Sequence, residues 1–477
     1  MNDDKNKKKP FSKPSHRSKA QPDAGGPSGH SGQGRPDAGP KKPGLEARAT
    51  AAKLLSAVID KKISLDGMLD PVHGNPSYKA LSDADRALAR AMLITTLRHL
   101  PRLDAAVSSL IDTPLPEGAR ALHHVLMIAA AQILHLDVPS HSAVDLAVEQ
   151  ANRDPRNRRF AKLVNAVLRR LVREKDEILA ATASVSPVPK WFSDRLAGAY
   201  GAEAAARIAE AQLVPPSIDL TVKSDPDGWA ARLGGKVLAT GSIRLGSFQG
   251  AVSALEGFEA GEWWVQDAAA AIPAKLFGDL TGKHIADLCA APGGKTAQLI
   301  VAGAKVTAVE QSSNRLARLK ENLVRLGLEA ELVAGDLFEY RPEELLDGVL
   351  LDAPCSSTGT TRRHPDVLWT KGVEDIGKLA VLQERMLRHA LTLVKPGGIV
   401  VFSNCSLDPK EGETLVARVL ADMPNVSRRP VSASDWPGLE DAVSADGDFR
   451  TTPAMLPGDG TYPGGLDGFY AAVLQVG

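Results

Sequence analysis

The chain is poor in cysteine, in aromatic rings and in long apolar runs. Three of its 477 residues are cysteine. Three thiols cannot build a disulfide framework, and their flanks lack the spacing of zinc ligands, so no metal is expected. Free thiols fit a reduced, cytoplasmic protein. Aromatic residues make up 4%, too few for base stacking on rings to dominate any binding surface. Trp263, Trp264 and Trp369 are the exceptions to weigh, and core packing suits each of them. No run approaches the ~18 apolar residues of a membrane span. The N-terminus carries charge but no apolar core of a secretory signal. Net charge is also missing, with 57 Lys and Arg against 57 Asp and Glu.

The balance hides local asymmetry. Residues 1–44 hold ten Lys or Arg against four Asp and no Glu. Almost no large apolar side chain lies among them, so they are expected to form a disordered basic tail. A second basic stretch, Arg153 to Lys175, has nine cations against two acids. Both suggest a polyanionic partner, although a solvated helix face has the same composition.

Residues 45–183 read as an all-α bundle. Leu54, Leu55, Val58 and Ile59 have helical spacing. Ser82-Asp83-Ala84-Asp85 looks like a helix start leading to Ala87–Leu100. Leu122–Leu136 is apolar nearly all round, as in a central buried helix. Another helix is expected from Ser140 or Ser142 to about Ala151. Arg158–Arg173 places Phe160, Leu163, Val164, Val167, Leu168 and Leu171 on one face. Residues 184–265 change character: prolines interrupt them, and 218–222 and 242–245 alternate like strands, which suggests a small α+β unit. From 266 to 477 strands and helices alternate, with strands expected at 284–289, 306–310, 331–334, 348–352, 398–403 and 468–475. That pattern is a parallel α/β sheet with helices on both faces.

The first of those strands runs into Asp287-Leu288-Cys289-Ala290-Ala291-Pro292-Gly293-Gly294-Lys295. Small residues let the backbone approach a ligand, and the helix that follows offers free N–H groups. Asp287 would meet the polar end of that ligand. Glu310 ends the next strand, 23 residues after Asp287, the spacing of an acid that takes ribose hydroxyls. Asp336 closes the third strand and suits a base amino group. The turn lacks both G-x-G-x-x-G and the Walker A pattern, so S-adenosylmethionine fits better than a dinucleotide or a nucleoside triphosphate. Ala290, Ala291, Pro292, Gly293, Gly294, Lys295 and Arg315 complete the candidate cofactor set with Asp352.

Two thiols follow the next two apolar strands: Cys355 in Asp352-Ala353-Pro354-Cys355 and Cys405 in Asn404-Cys405-Ser406. Strand ends of a doubly wound sheet face its ligand crevice. A thiolate added to C6 of cytosine makes C5 enamine-like, so that C5 can attack an electrophilic methyl group. A second thiol nearby can serve as the base that releases product. Asp352 suits the exocyclic amino group of the base. Cys289 lies inside the first strand and is expected to do no more than pack. Arg362, Arg363 and His364 are candidates to hold phosphates.

These motifs carry a family likeness. Asp-Leu-Cys-Ala-Ala-Pro-Gly-Gly-Lys-Thr (287–296), Asp-Ala-Pro-Cys-Ser (352–356), Arg-Arg-His-Pro-Asp-Val (362–367), Lys-Pro-Gly-Gly (395–398) and Asn-Cys-Ser (404–406) resemble the RNA cytosine-C5 methyltransferases of the RsmB/Sun (NOL1/NOP2/Sun) family. Ser140 to Asp145 and Phe160 to Arg169 resemble the NusB-like RNA-binding domain that such proteins carry. The resemblance implies a Rossmann-like S-adenosylmethionine-dependent catalytic domain over 266–477 and a NusB-like domain over 45–183. It implies Cys405 as nucleophile and Cys355 as the group that assists release. It places Asp287, Glu310, Asp336 and Asp352 around cofactor and base, with Lys295 near the base or the methyl donor. The implied substrate is a cytosine in 16S ribosomal RNA, and a monomer is the default. Asn404 stands where the family usually has Thr, and Glu310 where it more often has Asp. A DNA cytosine-C5 enzyme and a non-catalytic RNA-binding assembly factor are the alternatives; the second thiol and the intact cofactor turn argue against them.

Overall fold

The computed structural model describes residues 42–70, 73–246 and 250–477. All but the last three residues of the expected tail lie outside these. The described chain then runs through helices Leu45–Lys61, Asp83–Arg98, Leu100–Ser109, Arg120–His135, Ser140–Arg153 and Ala161–Arg173. Arg120–His135 buries 12 of its 16 residues. It can do so because it packs against the other five helices, so each of its faces meets apolar side chains and the usual polar stripe is dispensable. Burying one of its leucines contributes about 1.5–3 kcal/mol. Asp83–Arg98 starts at its cap: the Ser82 hydroxyl accepts from Asp85 N–H at 3.2 Å, four residues before the apolar periodicity would start it. Ala161–Arg173 buries Val164, Val167, Leu168 and Leu171 and turns its arginines outward.

Strands β1 (Asp219–Val222), β2 (Gly235–Val237), β3 (Ile243–Leu245) and β4 (Trp263–Val265) form a small antiparallel sheet in the order β2-β3-β1-β4. Asp219 and Arg244, both buried, pair at 2.8 Å through two hydrogen bonds. Trp263 and Trp264 are buried in packing, and the Trp369 indole donates to the Leu97 carbonyl at 3.1 Å.

The large sheet holds β5 (His284–Leu288), β6 (Lys305–Glu310), β7 (Glu331–Ala334), β8 (Leu346–Asp352), β9 (Val394–Asn404), β10 (Val426–Arg428), β11 (Phe449–Thr451) and β12 (Phe469–Val476). Its order is β10-β12-β9-β8-β5-β6-β7, with β11 also on β12. The five strands β9-β8-β5-β6-β7 are parallel, as their Val-, Ile- and Leu-rich runs demand. The expectation of a wholly parallel sheet fails at one edge, where β12 runs antiparallel to β9, and β10 and β11 run antiparallel to β12. The chain goes outward from β5 through β6 and β7, then returns to start β8 on β5's other side. That reversal opens a crevice at the carboxyl ends of β5 and β8.

The parts are bound together around residues 361–371. The Asp366 carboxylate accepts from Leu65 N–H at 3.0 Å and Ser64 Oγ at 3.1 Å, which caps the short helix Leu65–Met68 from across the chain. Arg98 donates to the Arg362 carbonyl at 2.7 Å. Arg195 pairs with Asp408 through two 2.6 Å bonds. Among the described residues, no helix is long and apolar enough to cross a membrane, and no group of three or more His, Cys, Asp or Glu is placed to hold a metal.

Candidate active site

The turn after β5 is shaped by its backbone. Gly293 has φ 102°, and a Cβ there would lie 3.1 Å from Leu319 Cγ. Only glycine accepts that conformation without strain. The turn places Gly294 at the start of the helix Gly294–Val301. Ala290 N–H donates to Val309 O at 3.1 Å, and Asn322 Nδ2 to Pro292 O at 2.9 Å, so β6 and the following helix brace it. Cys289 does not lie inside β5 as the sequence suggested. The strand ends at Leu288, because the chain must turn there, and Cys289 sits beyond it at φ 65° and lines the crevice. It still packs on the sheet's core, and burial pushes its thiol up to about 12, so it stays protonated.

Asp287 is fully buried. Its Oδ2 accepts from Thr296 Oγ1 at 2.6 Å, and its Oδ1 has no partner. Burial pushes its carboxyl up to about 7, against the Thr296 hydrogen bond, which pulls it down. Glu310 accepts from Ser312 N–H at 3.0 Å and meets Arg315 at 3.2 Å. Arg315 also donates to Ala291 O at 2.7 Å; its guanidinium braces the turn against the acid at the end of β6. Asp336 accepts from Phe338 N–H at 3.0 Å. Asp352 is held on both oxygens, by Ser403 Oγ at 2.9 Å and by Lys295 Nζ at 2.7 Å.

These groups line two adjoining cavities. One, of about 280 Å³, is bordered by Glu310, Arg315, Asp336, Asp352, Cys355 and Cys405. The other, of about 470 Å³, is bordered by Asp287, Gly294, Lys295 and Asp352. Cys289, Ala291 and Asp352 belong to both. A cavity of about 590 Å³ among the helices, beside His123, carries none of the candidate catalytic or cofactor residues.

The two thiols meet where the sheet places them. Asp352 of β8 is in register with Ser403 of β9, so the residues that follow run side by side. Cys355 Sγ and Cys405 Sγ are 3.3 Å apart. The hydrogen bond to Cys405, burial, and the negative charges of Cys405 and Glu411 hold the Cys355 thiol well above its ordinary range. Asn404 is bonded through both ends of its amide: its Oδ1 accepts from Ser406 N–H at 2.9 Å, a side-chain-capped turn, and its Nδ2 donates to the Glu411 carbonyl at 2.6 Å.

Of the three residues suggested as phosphate ligands, Arg363 and His364 border the second cavity and Arg362 does not. Arg362 is 1% exposed and donates to the carbonyls of Val214, Pro215 and Gly464. Arg363 is bound to Asp267 and Asp467. His364 is half-exposed and reaches Asp66 at 3.4 Å. Arg362 cannot hold a phosphate, and Arg363 reaches the cavity wall already neutralised. A junction of three chain segments leaves carbonyls and carboxylates to be satisfied, and these arginines satisfy them. Of the basic stretch, Arg170 and Arg173 pair with Glu174 on the surface, contacts weak enough for a phosphate to displace. No sequence signal pointed to Glu411, which lies fully buried beneath both thiol loops.

Residues 278–475 match the family described as 16S rRNA methyltransferase RsmB/F, and residues 45–173 match the NusB family. The chain is 36% identical over 420 residues to "Ribosomal RNA small subunit methyltransferase B" of Enterobacter sp. (strain 638), covering 84% of this chain and 96% of that one. It is 35% identical over 412 residues to the protein of the same name from Sodalis glossinidius (strain morsitans), covering 82% and 93%. Its fold resembles the crystal structure of PH0851 with a TM-score of 0.66 at 20% identity, over 91% of this chain and 99% of that one.

Proposed function

The chain belongs to the RsmB/F family of 16S rRNA methyltransferases, and from that premise we propose that it methylates C5 of a cytosine in small-subunit ribosomal RNA through covalent addition of a thiolate to C6. The observation that carries this reading is the 3.3 Å approach of two thiols at neighbouring strand ends, beside a cavity edged by three acids.

S-adenosylmethionine is the methyl donor, and it supplies an electrophilic methyl group. The residues present fit it. Asp287 Oδ1 is a buried acceptor without a donor, which suits a cationic group; Glu310 suits the ribose hydroxyls and Asp336 the adenine amino group. Asp352, held by Ser403 and Lys295, suits the cytosine amino edge. The target base must leave its stack to reach a thiol at this depth. The helical region, with its outward arginines, supplies salt-sensitive contact to flanking phosphates.

In this reading Cys405 reacts as the thiolate, and Cys355, whose sulfur lies 3.3 Å away, keeps its proton at the start. That thiolate adds to C6 and C5 becomes the nucleophile; the methyl group that a bound donor would supply ends on C5, which then carries both methyl and proton. Once Cys405 is bonded to carbon, the two influences of Cys405 that hold up the Cys355 thiol are gone. Cys355 then loses its proton to solvent, and its thiolate takes the C5 proton. The C6–S bond breaks, and Cys405 leaves as thiolate.

The test is a denaturing gel of Cys355→Ala and Cys405→Ala, each incubated with deproteinised small-subunit RNA and S-adenosylmethionine. A covalent protein–RNA band with Cys355→Ala and none with Cys405→Ala is expected. A band with Cys405→Ala alone reverses the roles. Absence of a band from both, while wild type methylates the RNA, overturns the covalent route.

A further inference from the structure

One buried carboxylate ties the two thiol loops together. Glu411 lies six residues after Cys405 and is 0% exposed. Its Oε1 accepts from Ser356 N–H at 2.9 Å and from Gln383 Nε2 at 2.9 Å. Its Oε2 accepts from the hydroxyls of Ser356 and Ser406, and those two hydroxyls stand 3.1 Å apart. Ser356 follows Cys355 and Ser406 follows Cys405. The backbone carbonyl of Glu411 takes the Asn404 amide at 2.6 Å, so the residue before Cys405 is tied to it as well. Gln383 completes the set by donating to Pro354 O at 2.9 Å, on the other side of Cys355.

We propose that Glu411 is a positioning residue for the methyl-transfer reaction, setting the spacing and the electrostatics of the Cys355–Cys405 pair without touching substrate. This rests on the reading that both cysteines act in the chemistry. A buried carboxylate is expensive unless its lone pairs are used. Four donors use these, and every one belongs to a thiol loop or to the side chain that braces it. A residue needed only for packing could be apolar here. A carboxylate can accept from both loops at once and also places a negative charge near the sulfurs.

The experiment compares Glu411→Gln and Glu411→Asp with wild type in the full chain. Glu411→Gln keeps the shape but loses the charge and one acceptor. Its kcat on deproteinised small-subunit RNA is expected to fall about 10–100-fold, the scale of a small misplacement of reacting groups. KM for RNA and affinity for S-adenosylmethionine should stay within about 3-fold, because none of Glu310, Asp336 or Asp287 touches Glu411. The second readout is the pH dependence of Cys355 alkylation, followed by peptide mass spectrometry. The groups acting on Cys355 are Cys405 and Glu411, which raise it, and the Ser357 N–H, which donates to its sulfur at 3.4 Å and lowers it. Removing the Glu411 charge should therefore move the alkylation midpoint to lower pH, whereas Glu411→Asp keeps the charge and should leave the midpoint near wild type. A residue that merely supports the fold would lower the active fraction and leave the midpoint alone.

If Glu411→Gln does not fold, Ser356→Ala and Ser406→Ala each remove one donor and leave the charge. A fall of about 3–10-fold in kcat at constant KM is expected for each, the loss of one charge-assisted hydrogen bond. Wild-type kcat and midpoint in Glu411→Gln, or wild-type kcat in both serine variants, overturns the proposal. Cys405→Ala is run beside them. If it retains wild-type turnover, the reading of the cysteines has failed, independently of Glu411.

Discussion

The two sides of the crevice are finished to different degrees. On the thiol side Asn404, Ser356, Ser406, Gln383 and Glu411 bond to one another, and the buried oxygen left without a donor there among the described residues is the neutral amide oxygen Gln383 Oε1 rather than a carboxylate. On the turn side Asp287 keeps a buried oxygen with no donor, and Asp352 faces both cavities. Groups that must hold a fixed geometry are completed by the protein. Groups that must receive a charged ligand are left for the ligand to complete. Changes on the turn side should therefore act on affinity, and changes on the thiol side on turnover.

The largest departure from that division would come from Glu310. Glu310→Ala removes the acceptor expected for the ribose hydroxyls and also releases Arg315 from its brace. Affinity for S-adenosylmethionine should fall about 10–100-fold by calorimetry, as for the loss of hydrogen bonds to a charged group. An unchanged affinity would erase the distinction between the two sides.

Asp287 gives the next effect, and its sign depends on pH. Burial raises its folded-state carboxyl to about 7 from the ordinary 3.8. Between those values the folded chain binds the extra proton, so stability falls as pH rises through that window. In ligand-free protein Asp287→Asn should therefore be stabilising by about 1–3 kcal/mol at pH 8 and near neutral at pH 4. Its affinity for the cationic cofactor should fall about 10-fold. Denaturant melts at the two pH values check the first part; equal stabilities at both would mean that the oxygen is already satisfied.

The smallest effect is expected at Asn404. Thr there can still accept from Ser406 N–H, but it cannot reach the Glu411 carbonyl in the way Asn404 Nδ2 does. Asn404→Thr should cost about 1 kcal/mol of stability, one hydrogen bond, and keep kcat within about 3-fold. A larger fall in kcat would show the thiol side to be less tolerant than its redundancy implies.

Most of the crevice was readable because period and punctuation announce it. Apolar runs ending near Asp287, Glu310, Asp352 and Asn404, with helical segments between them, read as parallel strands, and the ends of parallel strands share one edge. Direction at the far edge was not readable, since β12 has the same apolar run whichever way it points. What turns it is the route of the chain: after β9 the helix Glu413–Asp422 leads to β10, which runs the same way as β9, and β12 then fills the place between them, antiparallel to both. Arg362 and Arg363 misled for a related reason. A pair of arginines beside a strand end looks the same whether it faces phosphate or a buried junction, and the partners Val214, Asp267 and Asp467 are remote in sequence. Glu411 was hidden by its company: in Pro409-Lys410-Glu411-Gly412-Glu413 nothing separates the buried acid from Glu413, which is partly exposed and pairs with Arg450.

The seam between the connecting segment and the catalytic sheet looks like a place to cut the chain. Arg362 says otherwise. A fragment starting at residue 266 keeps the Gly464 carbonyl but loses those of Val214 and Pro215, and Asp408 and Asp366 lose Arg195 and the helix at Leu65. Buried charges would be stranded next to the cysteine loops, so a cut at residue 266 is expected to destabilise the catalytic half. Grafting it onto another RNA-binding part would require rebuilding the Arg362 junction first.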